Sequence, residues 1–255
     1  MAGALAGGMS KVRLDQLLVD RGLAENRTRA QAMVLAGEVF AGERRLEKPG
    51  QPVAGDLTVE LRRRAGGWVS RGAFKLVAAL DRFELDPEGA VALDIGASTG
   101  GFTEVLLARG AARVYAVDVG HGQLHARLRD DARVTVLERT NARHLSAAQV
   151  PEPVEFVVCD ASFISLTVVL PAALQLARPG AALVALIKPQ FEAGRGEVGK
   201  GGVVRDPSVH AAVCTRISDW LDGAMGWTVE GVAPSPITGP KGNREFLLVA
   251  RKPLG

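Results

Sequence analysis

From residue 90 onward, short apolar runs alternate with amphipathic or turn-rich stretches. AVALDIG, RVYAVD, RVTVLE, EFVVCD and AALVALIK are each rich in Val, Ile, Leu and Ala, and most close on a charged residue. Runs that are apolar on both faces suit strands buried in a mainly parallel sheet, with helices or loops as the crossovers between them. The alternation predicts a doubly wound α/β sheet. Two further runs, WTVEGVA and EFLLVAR, flank a Pro- and Gly-rich loop and predict a hairpin at the sheet edge. No internal repeat is visible.

The N-terminal quarter has another rhythm. RLDQLLV puts Leu14, Leu17 and Leu18 on one helical face, and Gly22 ends that helix. Asn26 is placed to cap a second helix, TRAQAMVLA, whose first turn carries Arg27 and Arg29. Two strand-like pieces, EVFAG and DLTVEL, follow on either side of a KPGQP turn. The result is a helix–helix–hairpin unit of about fifty residues, small for an independent domain. Four segments follow from these patterns: a tail over 1–10, a small module over 11–62, a basic and glycine-containing linker over 63–70, and a large α/β domain over 71–253.

Charge sharpens that division. The net charge is only +3, but residues 1–64 hold 11 Lys and Arg against 8 Asp and Glu, whereas the remainder holds 20 of each. All the excess positive charge therefore lies in the N-terminal quarter, a candidate for contact with phosphates. Arg27 and Arg29 oppose the dipole at their helix start, a penalty that an arriving anion would reverse.

Composition excludes other classes. With 47% hydrophobic residues the chain can build a core. Cys159 and Cys214 show no ligand spacing, which argues against a zinc site or a disulfide framework and fits a reducing cytosol. No metal is expected: His121, His125, His144 and His210 also lack ligand spacing and are read as surface or capping residues. Cys159 is read as a buried strand residue. MAGALAGG has no charged region ahead of a long apolar stretch, so it reads as a tail or as an upstream start before Met9, not as a secretory signal. The longest uncharged run, from Ala161 to Ala177, is interrupted by Pro171 and too short to span a bilayer. A soluble, cytoplasmic monomer is expected.

The most specific stretch is LDIGASTGGFTEVLLARG, in which a strand ends at Asp94 and Ile95, a glycine-rich turn follows, and a helix begins near Phe102. Asp118 ends the next strand, as an acidic residue does in dinucleotide-binding folds. The spacing is G-x-x-x-G-G, not G-x-G-x-x-G, and Asp94 stands where a nicotinamide fold usually has an apolar residue. DxGxxxGG resembles motif I of class I methyltransferases. That resemblance implies an S-adenosylmethionine site over Asp94, Gly96, Ala97, Ser98, Thr99, Gly100, Gly101 and Phe102. Asp94 would organise the methionine end, and Asp118 would accept hydrogen bonds from both ribose hydroxyls. Ser98 and Thr99 are open to a second reading as helix caps, and Asn141 is either an adenine contact or a turn residue.

Four residues converge on the rim where such a fold works, the carboxyl ends of its parallel strands. Asp160 ends EFVVCD and Lys188 ends AALVALIK. Glu245 begins EFLLVAR and reaches the same edge if that strand is antiparallel; Lys75, in GWVSRGAFKL, comes from a helix ahead of the first strand. In order and context Lys75, Asp160, Lys188 and Glu245 resemble the K-D-K-E tetrad of FtsJ-like ribose 2′-O-methyltransferases. The stretch RLDQLLVDRGLAENRTRAQAMVLAGEVFAGERRLEKPG resembles the S4 RNA-binding domain, which implies RNA contacts from Arg13, Arg27, Arg29 and Lys48, with Arg44 and Arg45 close by. Arg62, Arg63 and Arg64 extend the basic surface. The pairing of the two resembles the TlyA family, down to the strings VSRGAFKL, DIGASTGGFTEVLL, CDASFISL and LIKPQFEAG. Ala73 and Phe74 stand where that family often has glycine and leucine.

The resemblance implies an enzyme that methylates cytidine in ribosomal RNA, free or in subunits. The resemblance implies large-subunit rRNA as the target and, in some members, small-subunit rRNA too; large-subunit rRNA is favoured here because little chain remains after the last strand for an added helix. Lys188 is assigned as the base that takes the ribose proton, since a neighbouring ammonium lowers a lysine pKa. Lys75 would tune it and orient the oxygen. Asp160 would hold Lys188 and steer the methyl donor, and Glu245 would anchor the lysine pair. Two other readings remain: a membrane-active cytolysin, after the haemolysin label this family carries, and a non-catalytic S4 RNA binder. The loop QFEAGRGEVGKGGVVRD, with Arg195, Lys200 and Arg205, is either a lid over RNA or a connector.

Overall fold

The structure is a computed structural model that describes residues 11–35, 37–61, 67–194 and 196–254. The basic run Arg62, Arg63 and Arg64, the first half of the expected linker, and Arg195 lie outside the described residues. The chain divides into two compact units, Met1–Ser70 and Arg71–Gly255.

In the first unit, β1 (Lys11–Arg13) leads into α1 (Leu14–Asp20), and α2 (Arg27–Leu35) packs on α1. The Asn26 side chain accepts from Arg29 N at 2.8 Å, so the expected cap is in place. Gly22 has φ +67°, and its N–H donates to Val19 O just beyond the end of α1. Leu14, Leu17, Leu18, Ala30, Met33 and Val34 close a small core with Val39, Leu46 and Val53. The strands are shorter than expected. β2 (Val39–Ala41) pairs antiparallel with β3 (Arg44–Arg45) and with β5 (Glu60–Leu61), whereas β4 (Pro52–Ala54) pairs with β1. EVFAG thus contributes only its middle three residues and DLTVEL only its last two, and β1–β4 is an unexpected ribbon.

The second unit is the doubly wound sheet that the apolar runs predict. β6 (Val91–Ile95), β7 (Arg113–Val117), β8 (Val134–Leu137), β9 (Val154–Cys159) and β10 (Ala177–Ile187) run parallel; β11 (Thr228–Pro234) and β12 (Phe246–Arg251) are antiparallel. The order is β11-β12-β10-β9-β6-β7-β8, with the predicted hairpin at one edge. Because β6 and β9 are neighbours while β7 lies on the far side of β6, strand order reverses at β6, which opens a crevice at its carboxyl end.

Two helical layers cover this sheet. α3 (Ala73–Arg82) and α4 (Gly101–Ala108) pack together on one face. On the other, α6 (Leu166–Val169), α7 (Pro171–Leu176) and α9 (Pro207–Gly223) bury Leu93, Val117, Val157, Leu183 and Leu248. Short α5 (Ala126–Arg129) and α8 (Pro189–Glu192) follow β7 and β10. His210 corrects the expectation of a surface or capping role: it is buried, its Nε2 lies 3.0 Å from Val204 O, and its ring is tilted against Phe246 with centroids 5.6 Å apart. His125 does cap, accepting from Arg127 N at the start of α5. Among the described residues no helix is long and apolar enough to cross a membrane, and no His, Cys, Asp and Glu group is arranged to hold a metal.

Candidate active site

The crevice begins in the loop after β6. Gly96 has φ +78°, a conformation few residues besides glycine adopt readily, and a Cβ there would lie 3.0 Å from Ala161 Cα. The loop therefore runs against the backbone that follows β9, and Asp160 N donates to Ile95 O at 3.1 Å. Gly100, with φ +95°, forms the N-cap of α4 without any side-chain cap. The reading of Ser98 and Thr99 as caps is thus overturned. Ser98 has φ +48° and donates its Oγ to Gln123 Oε1 at 3.2 Å, while the Thr99 carbonyl accepts from His125 N.

Asp94 is fully buried at the end of β6. Its Oδ2 accepts from Thr103 Oγ1 at 2.7 Å, while its Oδ1 is buried with no hydrogen-bond partner. Burial pushes its carboxyl up to about 7, against the opposing pull of the Thr103 hydrogen bonds. A buried acceptor without a donor needs a reason. Here it lies at the strand end where a cationic ligand group would dock, so the residues fit the methyl donor that the loop implies. Asp118 follows β7, and its two oxygens accept from Ser98 N at 2.8 Å and Gly120 N at 2.7 Å. Each oxygen keeps a second lone pair for a hydroxyl. Asn141 accepts from Arg143 N and caps a single 3₁₀ turn, so its turn role is the one with a contact.

The four polar residues of the tetrad do meet. Lys75 is only 7% exposed on the buried side of α3. Its Nζ reaches Glu245 Oε2 at 2.6 Å and Asp160 Oδ2 at 3.2 Å. Lys188, 6% exposed where β10 gives way to α8, places Nζ 2.7 Å from Asp160 Oδ1, 3.1 Å from Asp160 O and 2.8 Å from Ser162 Oγ. One carboxylate thus bridges two ammonium groups. Burial works against the charge of Lys75, but Asp160 and Glu245 outweigh it and hold its pKa above the ordinary lysine value. Lys75 is accordingly a fixed cation and unsuited to be a base.

Two details depart from the expected arrangement. Among the described residues Glu245 pairs with Lys75 alone, so it is Asp160, not Glu245, that joins the two lysines. Its carboxylate lies directly against Gly239, where a side chain would displace it. Ser162 was not singled out by the sequence: a serine two residues past an apolar run carries no signal until β9 and β10 are seen as neighbours. Phe163 was equally silent. It is 89% exposed, has φ +66°, and its ring is tilted on Phe191 at 4.9 Å. Cys159 is buried as expected, and burial pushes its thiol up to about 12, which makes it a poor nucleophile.

The expected RNA contacts fall in the first unit. Arg13, Arg27, Arg44 and Lys48 are exposed and Arg29 is half-buried. Arg45 pairs with Glu47 at 2.5 Å. Arg13 and Arg27 both turn to Asp15, so the anion that relieves Arg27 at the start of α2 comes from α1.

Residues 68–252 match the family model of FtsJ-like methyltransferases, and residues 12–59 match the S4 domain. The Mycobacterium tuberculosis protein TlyA, named 16S/23S rRNA (cytidine-2'-O)-methyltransferase, is 49% identical over 247 residues, 94% of this chain and 90% of its own. YqxC of Bacillus subtilis, described as an rRNA methyltransferase, is 48% identical over 239 residues, 93% of this chain and 85% of its own. A solved structure of a Streptococcus thermophilus protein described as a hemolysin superposes with a TM-score of 0.74 at 41% identity, covering 96% of this chain and 90% of that one. Fold and site together define an FtsJ-like methyltransferase with an S4 domain ahead of it. Within that class the chain belongs to the family of TlyA and YqxC.

Proposed function

We propose that this enzyme uses S-adenosylmethionine to methylate the ribose 2′-oxygen of a cytidine in ribosomal RNA. Residues 71–253 would form the transferase and 11–62 the RNA-binding module. The observation that carries the reading is the Asp160 bridge between Lys75 and Lys188, packed against the glycine loop after β6. The methyl donor, when bound, supplies an electrophilic methyl group on a positively charged sulfur. Asp94, Gly96, Ala97, Ser98, Thr99, Gly100, Gly101, Phe102 and Asp118 would hold it, Asp94 through its unpartnered oxygen; Asn141 reaches it only if the turn it caps is also the adenine wall.

A ribose hydroxyl is a weak nucleophile, so its proton must leave as its oxygen gains the methyl group. Lys188 is the residue we assign to take that proton. The three acceptors around its Nζ are placed for the ammonium that proton transfer creates. The Ser162 hydroxyl can rotate to donate to the neutral amine beforehand. Lys75, held charged by Asp160 and Glu245, orients the ribose oxygen beside Lys188. Alignment of the oxygen with the methyl group provides much of the remaining rate. Phe163 offers an exposed ring on which an unstacked base can lie.

Purified protein, labelled methyl donor and large ribosomal subunits lacking the mark test the reading. Nuclease digestion should release labelled 2′-O-methylcytidine; small subunits form a second arm of the same assay. Label on a base, or no transfer to either subunit, would contradict it. A cytolysin would instead release dye from liposomes without needing Lys188.

A further inference from the structure

The transferase site does not use one heavily engaged carboxylate of the first unit. Asp15, in the first turn of α1, has no exposed surface, yet its partners reach outward. Arg13 grips it with two bonds, Nε to Oδ1 at 3.0 Å and Nη2 to Oδ2 at 2.8 Å. Arg27 Nη2 approaches Oδ2 at 3.3 Å from the start of α2, and Gln31 Nε2 donates to the same oxygen at 2.9 Å. Both arginine side chains remain 52% exposed.

Guanidinium groups present five N–H donors in a fixed fork. Arg13 spends its Nε/Nη2 edge on Asp15, which leaves Nη1 and the outer N–H of Nη2 unused. That group also lies over Gly50, where a Cβ would come within 2.8 Å of Nη2 and 2.9 Å of Nη1. Arg13 is thus held between a buried carboxylate and a bare stretch of backbone. Long arginine side chains normally lose rotamer freedom when they bind, at about 0.5–1.5 kcal/mol each. A carboxylate that fixes two of them in the free protein removes that loss in advance.

We propose that Asp15 is a positioning residue for RNA: it presents the outer edges of Arg13 and Arg27 side by side, as a preformed fork for the phosphate backbone. The proposal rests on the reading of residues 11–62 as the RNA-binding module. It makes a prediction whose sign is opposite to simple charge counting. Removing a negative charge beside two cations should tighten binding to a polyanion if only net charge mattered. If position matters, the same change weakens it.

The test uses the full chain, unmodified large ribosomal subunits as probe, and three variants beside the wild type: Asp15→Asn, Gly50→Ala, and Arg13→Ala with Arg27→Ala. Asp15→Asn should raise the Kd and the KM for subunits about tenfold, the equivalent of the freedom regained by two side chains. Its kcat at saturating subunits and its affinity for S-adenosylmethionine should stay unchanged. Gly50→Ala leaves the carboxylate intact and displaces only the movable tip of Arg13, so it should give a smaller loss with the same split. It decides the matter if Asp15→Asn lowers the unfolding temperature of the first unit. Unchanged or tighter binding in Asp15→Asn, with Gly50→Ala also at wild-type affinity, overturns the proposal while the double arginine variant still binds weakly. A double arginine variant that binds normally overturns the underlying reading as well, because these arginines then do not touch the RNA.

Discussion

Two carboxylates in this molecule each bridge two cations, and the contrast between them separates chemistry from binding. Asp160 joins Lys75 and Lys188, both almost fully buried. Asp15 joins Arg13 and Arg27, both half-exposed. A lysine can lose its proton when burial and neighbours favour it, whereas an arginine stays charged at any working pH. The buried lysine bridge can therefore take part in proton transfer, and the arginine bridge can only hold an anion. On the function proposed above, the same local device would serve a step in one unit and a grip in the other.

The largest effect should come from breaking the lysine bridge. Lys188→Ala is expected to lower kcat by about 10²–10⁴-fold while both ligands still bind, because a positioned base contributes on that scale. Lys188→Arg should fail similarly, since it keeps the charge but cannot accept the proton. Lys75→Ala should resemble Lys188→Ala; near wild-type turnover in that variant would mean that Lys75 is an ordinary helix lysine.

Next in size is the pH dependence of the cofactor site. Asp94 is raised to about 7 by burial, so near neutrality much of it is protonated in the free enzyme. A cationic ligand group needs the carboxylate, so affinity should rise with pH through about 7 and then level off. Calorimetry should find binding about tenfold weaker at pH 6 than at pH 8, with the difference abolished in Asp94→Asn. A flat profile in the wild type would remove Asp94 from the cofactor site.

Much of the large unit could be read directly, because buried parallel strands are long apolar runs and glycine loops need particular backbone angles. Asp160 and Lys188 were placed by strand ends, Glu245 by a strand end and the assumption of an antiparallel strand, and Asp94 and Asp118 by strand ends together with the glycine motif. What could not be read depends on neighbours in space. The contact of Ser162 with Lys188 and the pairing of Glu245 with Lys75 appear only once β9, β10 and β12 are side by side. In the small unit β1 and β4 are three residues each, too short for a period of two to show. Asp15 looks like an ordinary acidic residue between leucines until α2 brings Arg27 against it.

A smaller effect tests the arginine side of the comparison. Arg27→Ala with Arg29→Ala should flatten the salt dependence of RNA binding by about one unit of slope for each phosphate that is no longer neutralised. An unchanged slope would mean that neither arginine touches phosphate. Smallest is a stability effect at Asp15. The Arg13 hydrogen bonds hold its carboxyl well below the usual range, so its contribution is present above the unfolded-state value of about 4 and fades as pH falls below it. Urea unfolding of wild type and Asp15→Asn should differ by about 1–2 kcal/mol at pH 7, keep most of that difference near about pH 4, and converge only as pH falls far below the unfolded-state value.

The most direct measurement is a map of ribose methylation in rRNA from cells lacking the gene, complemented with either the wild-type chain or Lys188→Ala. The account predicts a 2′-O-methylcytidine that disappears with the gene, returns with the wild type and stays absent with Lys188→Ala. Restoration of the mark by Lys188→Ala, or an rRNA methylation pattern identical with and without the gene, would contradict it.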